Sequence, residues 1–273
     1  MNKFRTNSIQ KKLMLIFIVS LVSALFAWYL ERLLSGLTTL YFSYDLNIKA
    51  VLHLKGIHFL TAASSPFWTR DALVTLNMAA PIMNLFLGLI VMAVYVFSRR
   101  KSQSLAFFMI WIMVFAFTGI FGSYVENSIA HTGLYEISRI MDIGAVFQII
   151  FVVLSLYFLY IMGVALGKLV MLVLPGEFKK ENKIIPRFFL FIFILPWLIV
   201  LALSYKGLSS SMLFTYFIGI IILLPFNWMQ EPEKKGLHLK QLPPYLSLDS
   251  FALIVYLLGT FIIQQILAKG ISL

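Results

Sequence analysis

The stretch LMLIFIVSLVSALFAWYL, Leu13 to Leu30, contains no charged side chain and runs between Lys11-Lys12 and Glu31-Arg32. A run of this length is sufficient to cross a bilayer and too long for the apolar region of a signal peptide. No small-x-small cleavage site with a polar mature chain follows it, so it reads as a retained first span. The basic residues ahead of it, Lys3, Arg5, Lys11 and Lys12, are the flank that stays on the cytoplasmic side.

Further apolar runs of similar length recur along the chain. Together they give about seven transmembrane helices, at roughly 13–34, 78–98, 104–125, 142–174, 188–205, 210–227 and 249–268. The fourth exceeds what a bilayer needs, so it must tilt, kink near Gly163 and Gly167, or extend past the membrane. Between the fifth and sixth only Tyr205 to Ser209 intervene, which fits either two spans in a tight hairpin or one re-entrant unit. The expected fold is an all-α polytopic membrane protein, with residues 1–273 as a single membrane domain.

Composition agrees with that reading. Of 273 residues, 61% are hydrophobic and 12% charged, about half the charge of an ordinary soluble domain. The net charge of +11 sits in short runs between apolar blocks, so nucleic acid is not an expected partner. Placing the N-terminus in the cytoplasm puts 15 of the 22 Lys and Arg on that side. The expected arrangement is therefore N-in and C-out, in a cell membrane read as the bacterial cytoplasmic membrane. There is no cysteine, which excludes disulfides, thiolate ligands and thiol catalysis.

Two segments are set apart. Residues 37–77 are too apolar for a free loop and too polar for a span. Within them Val51-Leu52-His53-Leu54-Lys55-Gly56-Ile57-His58-Phe59 partly alternates, with Gly56 at a turn, so a short β-hairpin on the extracytoplasmic membrane surface is expected. Residues 228–247, with Pro232, Pro243 and Pro244, read as a cytoplasmic loop. No internal repeat is evident.

Polar groups in apolar surroundings are expensive and mark candidate sites. Glu31 ends the first apolar run, Asn84 lies inside the second, and Asp142 opens the fourth; these three form the candidate polar centre. Glu126 and His131 beyond the third span, and Gln148 inside the fourth, are secondary candidates. Each has a structural alternative. Glu31 can pair with Arg32, Asp142 can begin a helix, Asn84 can join helices, and His131 can be a loop residue. The four histidines, His53, His58, His131 and His238, all lie outside the spans. No phosphate-binding loop, Gly-x-Ser-x-Gly or His-Glu-x-x-His motif occurs. No metal, cofactor or catalytic residue is expected.

Taken in order, these features resemble the site-2 protease family of intramembrane zinc metalloproteases. Leu30-Glu31-Arg32-Leu33-Leu34 stands where that family has His-Glu-x-x-His, and residues 37–77 stand at its surface hairpin. Ala80-Pro81-Ile82-Met83-Asn84-Leu85 is similar to its Gly-Pro-x-x-Asn stretch, and Met141-Asp142-Ile143-Gly144 to its aspartate motif. The resemblance covers about residues 20–165. Leu30 and Leu34 replace the zinc-binding histidines, so it implies a pseudoenzyme lacking metal-dependent catalysis. The function expected is binding of a transmembrane or membrane-associated partner, in addition to the lipid bilayer. The alternatives are a structural subunit of a membrane complex, or a transporter or channel using outer-side carboxylates.

Overall fold

The run that opens the reading above lies within a single long helix, α1 (Asn2–Asp45). It continues well past Glu31, because residues 32–45 bring no proline, and its one glycine, Gly36, lies under the hairpin. The computed structural model describes residues 2–97, 102–173, 189–204, 210–228 and 250–273. After α1 come β1 (Ala50–His53), β2 (Gly56–Phe59) and α2 (Arg70–Phe97). Then follow α3 (Gln103–Phe117), a π turn (Thr118–Gly122), α4 (Ser123–Ala130), α5 (Leu134–Ile140) and α6 (Ala145–Val173). A second π turn (Leu190–Ile194) leads into α7 (Leu195–Ser204), followed by α8 (Ser210–Ile218) and α9 (Ile220–Leu223). A 3-10 turn (Leu224–Trp228) follows α9, and α10 (Ser250–Lys269) and β3 (Ile271–Ser272) end the chain.

Among the described residues, five helical stretches are long and apolar enough to cross a membrane: 11–45, 70–97, 103–130, 145–171 and 250–269. The expectation of seven is corrected to five. The segments expected at 188–205 and 210–227 form the shorter apolar helices Leu190–Leu203 and Leu213–Phe226. At 1.5 Å per residue, 14 residues reach about 21 Å, against about 30 Å of hydrocarbon. Aromatic packing seats one face of each against the rest of the protein. Phe115 stacks on Trp197 at 5.1 Å and 9°, Trp197 meets Tyr216 at 6.2 Å, and Phe193 meets Phe226 edge-on at 4.9 Å. Their other faces stay open, with Leu190, Leu198, Leu203 and Phe217 exposed. The Ser20 hydroxyl donates to the Ile192 carbonyl in the second π turn and accepts from the Trp111 indole N–H at 2.9 Å.

The stretch Gln103–Ala130 is the centre of the bundle. Its most apolar window is 72% buried, against 17% for α10 and 22% for α6. The outer faces of α6 and α10 carry exposed Phe147, Ile150, Phe158, Leu258 and Phe261, as helices that meet lipid do. Helix α6 runs unbroken through Gly163 and Gly167. The absence of a side chain at Gly163 serves packing, since a Cβ there would lie 2.3 Å from the Ile222 carbonyl oxygen.

The expected hairpin is present, with Val51 opposite His58 and Leu52 opposite Ile57. The segment around it is shorter than expected, since α1 reaches Asp45 and α2 already begins at Arg70. A third strand, β3, pairs antiparallel with β1 through Leu52 and Ile271, making the sheet order β2-β1-β3. Gly270, at φ +88°, turns the chain from α10 into β3, a conformation glycine adopts without strain. The loop expected at 228–247 lies, apart from its first residue, outside the described residues.

Gly163→Ala is expected to destabilise the protein by about 1–3 kcal/mol through overpacking against Ile222. Gly144→Ala, where nothing lies within 4 Å, is expected to stay within about 0.5 kcal/mol. Thermal unfolding of the two variants in one detergent compares them.

Candidate functional site

Glu31 is 3% exposed although it lies in an apolar bundle, so its oxygens must find partners within the protein. Tyr216 on α8 donates its hydroxyl to Glu31 Oε2 at 3.4 Å. The side chains of Asn84 on α2 and Ser35, one turn further along α1, also hydrogen-bond the carboxylate. Three helices thus converge on one acid, with the first π turn packed beside them. A Cβ on Gly119 would fall 2.2 Å from Asn84 Nδ2 and 3.1 Å from Glu31 Oε1. Glycine is required there so that the amide can reach the carboxylate. Widened π turns recur at functional sites for this kind of local re-aiming.

These groups line a cavity of about 310 Å³. On α1 it is bordered by Glu31, Arg32, Ser35, Gly36 and Thr39, and on α2 by Leu76, Asn77, Ala80, Pro81 and Asn84. Both sets follow the three-and-four spacing that puts residues on one helical face. Helix α4 adds Ser123, Glu126 and Asn127, and the hairpin adds Leu52, His53, Gly56 and Ile57. Pro81 has no backbone N–H, so the helical donor that the Asn77 carbonyl would otherwise receive is missing on the cavity wall. Glu126 is 3% exposed, like Glu31.

Arg32 ties the hairpin to the bundle. Its Nη2 donates to the Leu54 carbonyl at 2.6 Å, and its guanidinium carbon lies 5.0 Å from the centre of the Trp28 ring. The Leu54 N–H donates to the Leu267 carbonyl at the end of α10 at 3.0 Å. Leu52 fills the space over Gly36, where a Cβ would lie 2.6 Å from its side chain. Two polar atoms of the cavity-lining residues are buried without a hydrogen-bond partner, Arg32 Nη1 and Asn84 Oδ1.

Of the residues singled out from sequence, Glu31 and Asn84 touch, and Glu126 lines the same cavity. Asp142, grouped with them on sequence order, stands apart. It is exposed, at φ +55°, in the turn between α5 and α6. That turn is held near the start of α2, where Arg70 donates to the Ile140 carbonyl at 2.7 Å. Asn84 lies 14 residues further along α2, about 21 Å away along the axis. His131 caps α4 in the left-handed conformation with its ring 4.4 Å from that of Tyr135, and Gln148 turns back to the Ile143 carbonyl at 3.0 Å. Neither lines the cavity. Sequence reasoning missed Tyr216 and Ser35. Ser35 was accessible as the residue four after Glu31, whereas Tyr216 lay hidden in an apolar run.

Among the described residues no three His, Cys, Asp or Glu side chains group as a metal site would require. The positions matching the zinc-binding histidines are Leu30 and Leu34. Comparison with protein-family models, curated proteins and solved structures gives no match to this chain.

Gly119→Ala is expected to cost about 1–3 kcal/mol by driving Asn84 away from Glu31. Asn84→Ala removes the clashing amide, so the double variant should be more stable than the sum of the single effects, with a coupling of at least about 0.5 kcal/mol. Asp142→Asn should lie within about 0.5 kcal/mol of the parent. Strictly additive Gly119 and Asn84 effects would contradict this account of the site.

Proposed function

We propose that the protein is a membrane-embedded binding protein that takes up a membrane-associated partner polypeptide without metal-dependent catalysis. The observation that carries this reading is the cavity itself. It is a space of mixed polar and apolar lining gathered from α1, α2, α4 and α8 at the foot of the hairpin, bordered by Gly56 and Ile57 of the outer strand β2. An outer strand offers backbone N–H and C=O groups to an extended segment of another chain. The same order of parts, an acid on the first helix, then a hairpin, then Pro81 and Asn84, supports descent from a site-2-protease-like ancestor. Leu30 and Leu34 in place of histidines, and Asp142 outside the cavity, support loss of the metal chemistry.

The orientation proposed is N-terminus in and C-terminus out, in a bacterial cytoplasmic membrane. Pairing of β3 with β1 supports it, because the chain then ends on the face reached by the far end of α1. Helix α10 must therefore start from the opposite face, so the two short apolar helices together enter and leave on one side. A re-entrant pair satisfies this.

Two experiments test the proposal. The chain has no native cysteine, so single cysteines at positions 55, 100, 131 and 236 label without background. Positions 55 and 131 are expected to react from outside, and 100 and 236 only after permeabilisation. The reverse pattern would invert the orientation. A photo-crosslinking side chain at Ile57 is expected to capture a discrete polypeptide in native membranes, and Gly119→Ala to reduce that capture. The same group at Phe261, on the exposed face of α10, is the control. Equal capture from 57 and 261 would dismiss a partner site at the hairpin.

A further inference from the structure

Two residues that line the cavity each carry a buried polar atom without a partner, one a donor and one an acceptor, and their surroundings restrict what joins them. Arg32 is 8% exposed and permanently charged; one arm is used on the Leu54 carbonyl, and Nη1 has no partner. A buried charged donor is best met by an anionic acceptor. Asn84 is 3% exposed; its amide nitrogen serves Glu31, and Oδ1 has no partner. With Glu31 beside it and Glu126 lining the same cavity, that acceptor favours a donor carrying positive charge. An anion alone would face two carboxylates, and a cation alone would face Arg32. A small zwitterion satisfies both ends.

Depth in the membrane points to its source. Leu13–Leu30 spans about 27 Å, close to the full hydrocarbon core, so Glu31 and Arg32 stand at its far boundary. Tyr41 and Tyr44, exposed further along α1 at 60% and 65%, suit the interfacial zone just beyond. Zwitterionic headgroups are concentrated at this level. The cavity volume, 310 Å³, corresponds to about ten waters at 30 Å³ each, enough for a small headgroup.

From this geometry we infer that the cavity binds the phosphoethanolamine headgroup of a membrane phospholipid, phosphate toward Arg32 Nη1 and ammonium toward Asn84 Oδ1 and the two carboxylates. The N–H groups are what select it. A choline headgroup has a quaternary nitrogen with no proton to donate, and a glycerol headgroup has no cation. The site belongs to the cavity floor and does not rest on a polypeptide partner at β2.

The test is lipid retention by the full chain, reconstituted in discs containing equal phosphatidylethanolamine, phosphatidylcholine and phosphatidylglycerol, then extracted and weighed by native mass spectrometry. About one phosphatidylethanolamine per protein is expected, enriched roughly tenfold over the other two, the worth of one charge-assisted hydrogen bond. Asn84→Leu and Arg32→Met should each remove most of that enrichment, while Arg32→Lys should retain part of it. Equal retention of the three lipids by the unaltered protein overturns the assignment whether or not the variants fold. Full displacement of the lipid by soluble phosphoethanolamine at equal concentration would overturn its lipid source. Loss of crosslinking at Ile57 with lipid selection intact would strike only the polypeptide reading.

Discussion

A carboxylate buried to this degree is costly unless its oxygens are hydrogen-bonded, and the arrangement around Glu31 follows from that. Its hydrogen bonds come from α1, α2 and α8, so the acid fixes how these three helices stand relative to one another. The π turn in the central helix gives Asn84 its position, because only glycine at 119 leaves room for the amide. Buried polar groups of this kind are unfavourable unless each is satisfied. The unpartnered atoms at Arg32 and Asn84 are therefore the places where an occupant gains most.

The hairpin follows from the neighbouring residue. Arg32 reaches out of α1 to the Leu54 carbonyl, and the Leu54 N–H goes on to α10. A two-stranded hairpin is marginal by itself in water, but this one gains a third strand from the C-terminal segment and rests on Gly36 through Leu52. Strand edges cannot lie in lipid, and a boundary of the bilayer is where the sheet has both protein to pack on and polar surroundings. Cavity, hairpin and the end of α10 form one connected unit at that level. The aromatic stack of Phe115, Trp197 and Tyr216 joins it to the short helices below.

The membrane class, the five long helices and the hairpin were legible from residue order. Each depends on local quantities, namely the length of an apolar run, alternation across two strands, and a glycine at a turn. The pair Leu190–Leu203 and Leu213–Phe226 was counted toward seven spans, with a re-entrant unit as the alternative, because the length of an apolar run does not show how much of it forms one helix long enough to cross. Asp142 was misplaced for a related reason. Its position just before an apolar run resembles that of Glu31 just after one, yet α5 and its tie to Arg70 hold it at the start of α2, 14 residues before Asn84.

The sequence by itself determined that this chain lives in a bilayer, and that Glu31, Asn84 and Glu126 are polar groups needing an explanation there. Tertiary structure alone decided that these three line one cavity while Asp142, His131 and Gln148 do not. It also brought in Tyr216, and β3 across more than two hundred residues of chain. The physical reason is that burial cost is a property of each residue and its neighbours in sequence. The partner that offsets it is chosen by how helices cross, which no local pattern encodes.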